Sequence, residues 1–247
     1  MKSMLCVLLG LFGSVALAGT STIVTGKVTV ISDGDTLHVE MDEGMSVPVR
    51  DGQKPPLPGS RKMKIRMSDM DTPELHISLP GGKIASQGKY AELADARLKQ
   101  LLPLGTRVSV VVKGVDVHGR TLAHVMLNGR DVNLQMVEEG HAIPYVICDP
   151  EQCSEGSGWD RDLEPFYRAC EVARREGRGI FNKKEPLQMM PFEFRLQQMN
   201  RTADKYVGDV RTQMLVQPAE YSKVDLCRRA FFPKLEDAEA AGYRLAN

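Results

Sequence analysis

Short runs in which apolar and polar residues alternate recur through the first half of the chain. Val24, Gly26, Val28 and Val30 alternate with Thr25, Lys27 and Thr29. Leu37, Val39 and Met41 alternate with His38 and Glu40, and Met63, Ile65 and Met67 with Lys64 and Arg66. A period of two belongs to a strand with one buried face, so three strands are predicted here. Val108, Val110 and Val112 mark a fourth. RTLAHVMLNGRDV reads as a fifth, ended by an Asn128-Gly129 turn. Helical spacing appears in three other places. From Ala85 to Leu102, the residues Tyr90, Ala94, Leu98 and Leu101 share one face. A second helix follows Asp131, a good N-cap, and stops at Gly140. A third starts near Pro165, buries Phe166, Cys170 and Ala173, and stops around Gly177. The order is three strands, a helix, two strands and two helices. That is an α+β chain whose five short strands suggest a closed OB-type β-barrel.

The stretch MDEGMSVPVRDGQKPPLPGS holds four prolines and three glycines and reads as an exposed loop. Beyond Phe181 no period is evident, and residues 183–247 are expected to form a small C-terminal extension. The start of the chain also stands apart. MKSMLCVLLGLFGSVALA has a basic residue, an apolar run and a small-x-small end, the pattern of a secretory signal cleaved before Gly19. Its apolar run falls short of the roughly 20 residues that span a bilayer. The expected product is exported, periplasmic or extracellular, with no stable membrane association after cleavage. Residues 19–182 would then hold the barrel.

Charge removes one class of explanation. The chain has 32 basic and 32 acidic residues, and losing Lys2 with the signal leaves a net charge of −1. Global attraction of a polyanion is therefore not available, and any nucleic-acid contact must come from a local patch. Cleavage also removes Cys6 and leaves Cys148, Cys153, Cys170 and Cys227. In an oxidising compartment four cysteines suggest two disulfides, with three possible pairings. The short separation of Cys148 and Cys153 allows them to close on each other, which would leave Cys170 to meet Cys227. No C-x-x-C spacing points to zinc.

Three clusters carry candidate chemistry. SDGDT (Ser32 to Thr36) lies between the first two strands, IRMSDMDTPE (Ile65 to Glu74) ends the third, and DVHGR (Asp116 to Arg120) precedes the fifth. Each alone is an ordinary turn. Together, carboxylates from two turns can converge on a hard divalent cation. Arg66 and Arg120 can grip phosphate oxygens in forked fashion, which leaves Glu74 to orient or deprotonate water. A metal, two guanidiniums and a base are what phosphodiester hydrolysis needs.

DGDT, then R-x-x-x-x-DTPE, then HGR, in this order and spacing, resemble the staphylococcal-nuclease-like (thermonuclease) family. The resemblance runs from about Val24 to Phe181 and takes in GRDVNLQMVEEGHA and ARREGRGIF. It implies the staphylococcal nuclease fold and calcium-dependent cleavage of DNA and RNA to 3′-phosphates; a monomer is expected. It assigns Asp35 and Asp71 as Ca2+ ligands and Thr72 as a main-chain ligand. Glu74 would be the general base, and Arg66 and Arg120 the phosphate-binding arginines. Asp69 matches no family position and is expected to be a solvated turn residue. As a turn carboxylate facing a groove, Asp35 is expected to contribute little to the core. The family pattern is broken before Gly119-Arg120, where Val117 and His118 stand. His118 and Tyr145 are candidate substrate contacts.

The alternative is a catalytically inactive nucleic-acid-binding module on the same barrel, but such modules typically lose the carboxylates and arginines that are all kept here. CRRAFFPKLEDAEAAGYR resembles the end of small cysteine-containing metal-binding modules; it keeps only Cys227, so residues 183–247 read as a degenerate copy. Lys183, Lys184, Arg228 and Arg229 are candidates for brushing a phosphate backbone.

Overall fold

The computed structural model describes residues 22–46, 60–148, 153 and 159–246. The signal segment, most of the proline-rich loop after Met41 and most of the loop between Cys148 and Trp159 lie outside the described residues. Five strands close a barrel: β1 (Thr22–Asp33), β2 (Thr36–Met41), β3 (Lys62–Met67), β4 (Arg107–Val115) and β5 (Thr121–Leu127). β1 pairs antiparallel with β2 and β4, β2 with β3, and β4 with β5. The parallel pairing of β3 with β5 closes the ring. This is the expected OB-type α+β architecture, held by the apolar faces the alternation marked: Val24, Val28, Leu37, Val39, Met63, Ile65, Met67, Val110 and Val125 are all buried.

One position breaks the pattern. The β1–β2 register slips between Val28 and Val30, a bulge that turns Val30 outward at 44% exposure and Ile31 inward at 9%. An inserted residue reverses which face every later side chain takes. The turn after β5 has Asn128 at φ 51° and Gly129 at φ 80°, the two left-handed positions that Asn-Gly hairpins use.

Helix α1 (Lys89–Leu101) lays Tyr90, Ala94 and Leu98 on the core. Helix α2 (Val132–Glu138) starts at Asp131, whose carboxylate accepts bonds from the Asn133 and Leu134 amides. Helix α3 (Trp159–Glu176) begins six residues before Pro165, where the sequence suggested a start, and carries the proline inside. Proline costs a helix one N–H and one contact with the preceding turn, and here that turn forms regardless. Phe166, Cys170 and Ala173 are buried as expected.

The last quarter of the chain has more structure than its lack of period suggested. After helix α4 (Pro191–Gln198) come β7 (Tyr206–Asp209), β8 (Met214–Val216), β9 (Arg229–Phe232), helix α5 (Leu235–Ala240) and β10 (Arg244–Leu245). Their sheet is completed by β6 (Val146–Ile147), which pairs parallel with β9. Disulfides join Cys148 to Cys153 and Cys170 to Cys227, so the second ties α3 to the C-terminal segment. Among the described residues, no helix is long and apolar enough to cross a membrane.

Candidate active site

The turn between β1 and β2 needs its glycine. A Cβ on Gly34 would come within 2.9 Å of both Ala94 Cβ and Thr72 Oγ1. Without that atom the DGDT turn settles against α1 and the DTPE segment. Asp35 is therefore drawn inward, 3% exposed, and its Oδ2 accepts bonds from Thr72 N (3.2 Å) and Thr72 Oγ1 (3.1 Å). The sequence reading of Asp35 as a groove-facing carboxylate of little structural weight is corrected by this burial: the residue locks two turns together.

After β3 the chain turns sharply through Asp69, at φ 62°. Met70–Asp71 then pairs with Ile143–Pro144, which brings Asp71 to full burial. Arg66 leaves β3 on the face opposite Ile65 and bridges the two carboxylates. It pairs with Asp35 through Nη1 and with Asp71 Oδ1 through Nη2 at 2.6 Å. Carboxylates that share one guanidinium are close enough to share one cation. Their hard oxygens suit calcium or magnesium better than softer metals. Among the described residues no group of three or more His, Cys, Asp or Glu side chains gathers as a metal cage. A cation here would rest on Asp35, Asp71, a main-chain oxygen and solvent.

Asp69 is not a solvated turn residue. Its Oδ2 lies 2.7 Å from His124 Nε2, and Asp131 Oδ2 lies 2.6 Å from His124 Nδ1. Burial works against the imidazolium, but the two carboxylates bonded to it win and raise its pKa to about 9. Beside it, the fully buried Asn133 amide donates to Ser68 O and Ala123 O, both at 3.0 Å, and accepts from Val125 N. His124 and Asn133 together pin the turn that delivers Asp71 to β5 and α2.

Glu74 follows Asp71 in the same segment. Gln87 holds its backbone through bonds of 2.9 and 2.8 Å. Burial and the Asp71 charge push the Glu74 carboxyl up, more than a nearby arginine pulls it down. That arginine is Arg195, from α4. It donates to Asp71 Oδ1 (2.8 Å), Asp71 Oδ2 (2.9 Å) and Glu74 Oε1 (2.5 Å). Burial opposes its charge, but Asp71 and Glu74 raise its pKa well above the usual guanidinium range. Sequence reasoning missed it. The helix signal was present, since Pro191 sits at N1 and Glu193 at N3 accepts the Met190 amide. Nothing local marked Arg195 as different from a solvated surface arginine.

Arg120, His118 and Tyr145 form the adjacent wall. Arg120 Nε donates to Asp116 Oδ2 at 2.7 Å, and Asp116 also accepts the backbone amides of His118 and Arg120. Burial alone would raise the Asp116 pKa, but the Arg120 contacts hold it low. Arg120, His118, Tyr145 and Arg195 line a cavity of about 270 Å³ whose far side is built by the C-terminal segment, including Phe192, Lys205, Tyr221 and Phe231. The Tyr145 ring lies 4.8 Å from Phe231 and 6.0 Å from Phe192. Its face is thus shared with the C-terminal segment. Two of the proposed backbone-brushing residues are otherwise engaged: Arg229 is buried with Nε on Val224 O, and Arg228 Nε pairs with Glu171 at 3.0 Å.

Residues 64–183 match the model of the staphylococcal nuclease homologue family. The chain is 32% identical over 222 residues to Endonuclease YhcR of Bacillus subtilis; the match covers 89% of this chain but only 16% of that protein. It is 28% identical over 183 residues to an uncharacterized endonuclease of Haemophilus influenzae, covering 74% of this chain and 79% of that one. A third relative, an uncharacterized lipoprotein of Mycoplasma pneumoniae, is 30% identical over 105 residues, 37% of this chain and 35% of that protein.

Proposed function

The chain belongs to the staphylococcal nuclease homologue family through the domain at residues 64–183, and on that premise we propose that it is a calcium-dependent nuclease cleaving phosphodiester bonds of DNA and RNA to leave 3′-phosphates. One observation carries the reading. Asp35 and Asp71, from separate turns, converge on Arg66 beside Glu74, at the edge of a cavity lined by Arg120. Bound on Asp35, Asp71 and Thr72, calcium would supply a Lewis acid for the phosphodiester oxygen. Arg66 and Arg120 would bind the remaining phosphate oxygens and stabilise the charge that builds as water attacks. Glu74 would orient that water or take its proton, for which a carboxyl raised by burial is better suited than an ordinary one.

The two disulfides and the signal-like first 18 residues support an exported protein acting in an oxidising compartment. The test is plasmid and RNA hydrolysis in calcium, in magnesium and in chelator, with the wild type and Asp35→Asn compared. Asn is the right probe because it keeps an oxygen for the Thr72 amide and hydroxyl while removing the ligand charge. Strong cleavage in calcium, weak cleavage in magnesium and none in chelator are expected, with Asp35→Asn inactive and folded by circular dichroism. Full activity in excess chelator, or an active Asp35→Asn protein, would refute the mechanism.

A further inference from the structure

The site contains a cation that the family-matched segment does not supply. We propose that Arg195 is an active-site residue contributed by the C-terminal segment: it holds Asp71 and Glu74 in the free protein and passes its guanidinium to the substrate phosphate when a metal cation takes Asp71. The inference rests on the function proposed above.

Three observations lead to it. First, Arg195 sits where it blocks the chemistry. Its bonds of 2.8 and 2.9 Å take both Asp71 oxygens, and its 2.5 Å bond takes Glu74. A guanidinium held this way lowers the basicity a carboxylate would otherwise have and occupies oxygens that a metal cation would need. For Glu74 and Asp71 to act, Arg195 must let go.

Second, it has a place to go. Its guanidinium carbon lies 5.4 Å from the Tyr145 ring centre, and the residue lines the same cavity as Arg120 and Lys205. A phosphate entering that cavity offers oxyanions to replace the carboxylate oxygens. The backbone before α4 is anchored, so only the side chain has to move: Gln87 Nε2 donates to Met189 O at 2.7 Å, while Gln87 Oε1 holds the Glu74 amide.

Third, the charge balances only with substrate present. Asp35, Asp71 and Glu74 face Arg66 and Arg195, three negative charges against two positive. A divalent cation alone would overshoot to a net charge of one positive in a buried site, which is costly. A phosphodiester brings the final negative charge and restores neutrality. Without Arg195 the cluster would be two negative, and the cation alone would neutralise it. Arg195 therefore makes metal loading depend on substrate.

The test is calorimetric binding of calcium to the full chain and to Arg195→Gln, each with and without a dinucleoside phosphorothioate, a slowly cleaved diester of one negative charge, as the phosphate probe. Without the diester, the variant should bind calcium about tenfold more tightly than the wild type, a usual size for coupling between two bound charges. The diester should tighten calcium binding in the wild type and do so far less in the variant. Turnover in calcium should fall about 10²-fold, as for loss of one preorganised donor. Arg195→Lys, which keeps a charge but cannot span both carboxylates, should bind calcium with intermediate affinity and guards against misfolding of the glutamine variant. A variant that binds calcium no better than the wild type overturns the competition, and one that binds it better with undiminished turnover overturns the transfer to phosphate. A wild type that binds no calcium with or without the diester overturns the proposed function instead.

Discussion

His124 gives the chain a stability that should fade in alkali. Both ring nitrogens are within 2.7 Å of a carboxylate oxygen, Asp69 on one side and Asp131 on the other, and Phe166 meets the ring edge-on with centroids 5.5 Å apart. With two acceptors flanking it, the folded protein favours the imidazolium and raises the pKa from 6.5 to about 9. The folded state thus binds the proton more tightly than the unfolded chain. Stability from this group is complete below about pH 6.5 and is lost as pH rises toward 9. At 1.36 kcal/mol per pKa unit, a rise of this size corresponds to about 3 kcal/mol. For a chain of this size that is about 6–12 °C in melting temperature. Thermal melts followed by circular dichroism from pH 6 to 9.5, on the wild type and His124→Gln, would read it. Glutamine cannot ionise, so its melting temperature should fall much less across this range, whatever its absolute stability. His38 and His141 have pKa values lowered chiefly by burial, so their contributions fall below this window. Parallel slopes for the two proteins would refute the reasoning.

Two further outcomes follow from the site and its tether. Arg120→Lys keeps a charge but loses the planar fork that can hold Asp116 and a phosphate together, so turnover should drop about 10²-fold; near-normal rates would remove Arg120 from the reaction. Cys227→Ser opens a crosslink across 57 residues, worth about 4 kcal/mol on the chain-entropy account, and chemical denaturation should show a loss of that order with the Cys148–Cys153 bond intact.

The barrel was legible because each strand shows a period of two, and Val30 was misread because a bulge leaves no trace in that period. Arg66 was legible for the same reason, since it follows Ile65 and must face the other way. Asp35 was placed in its turn by the sequence and misread as to burial. Its depth depends on Gly34 meeting Ala94 and Thr72, residues 60 and 38 positions away. Asp69 was dismissed because its partner His124 lies 55 residues on, inside a strand that sequence alone fills with apolar neighbours. Arg195 is the extreme case. It reaches Asp71 across 124 residues, and its side chain has no local feature that separates it from any other arginine on a short helix.

Val146 and Ile147 belong by sequence to the family-matched segment and by hydrogen bonding to the C-terminal sheet, where they pair with Ala230 and Phe231. A protein shortened at about residue 183 would therefore be wounded, not trimmed. It would bare the edge of a strand, strip Phe231 from the Tyr145 ring and leave Cys170 as a lone thiol. Anyone wishing to graft this fold onto another protein should carry the whole chain, because the seam that family boundaries suggest runs through the middle of a sheet.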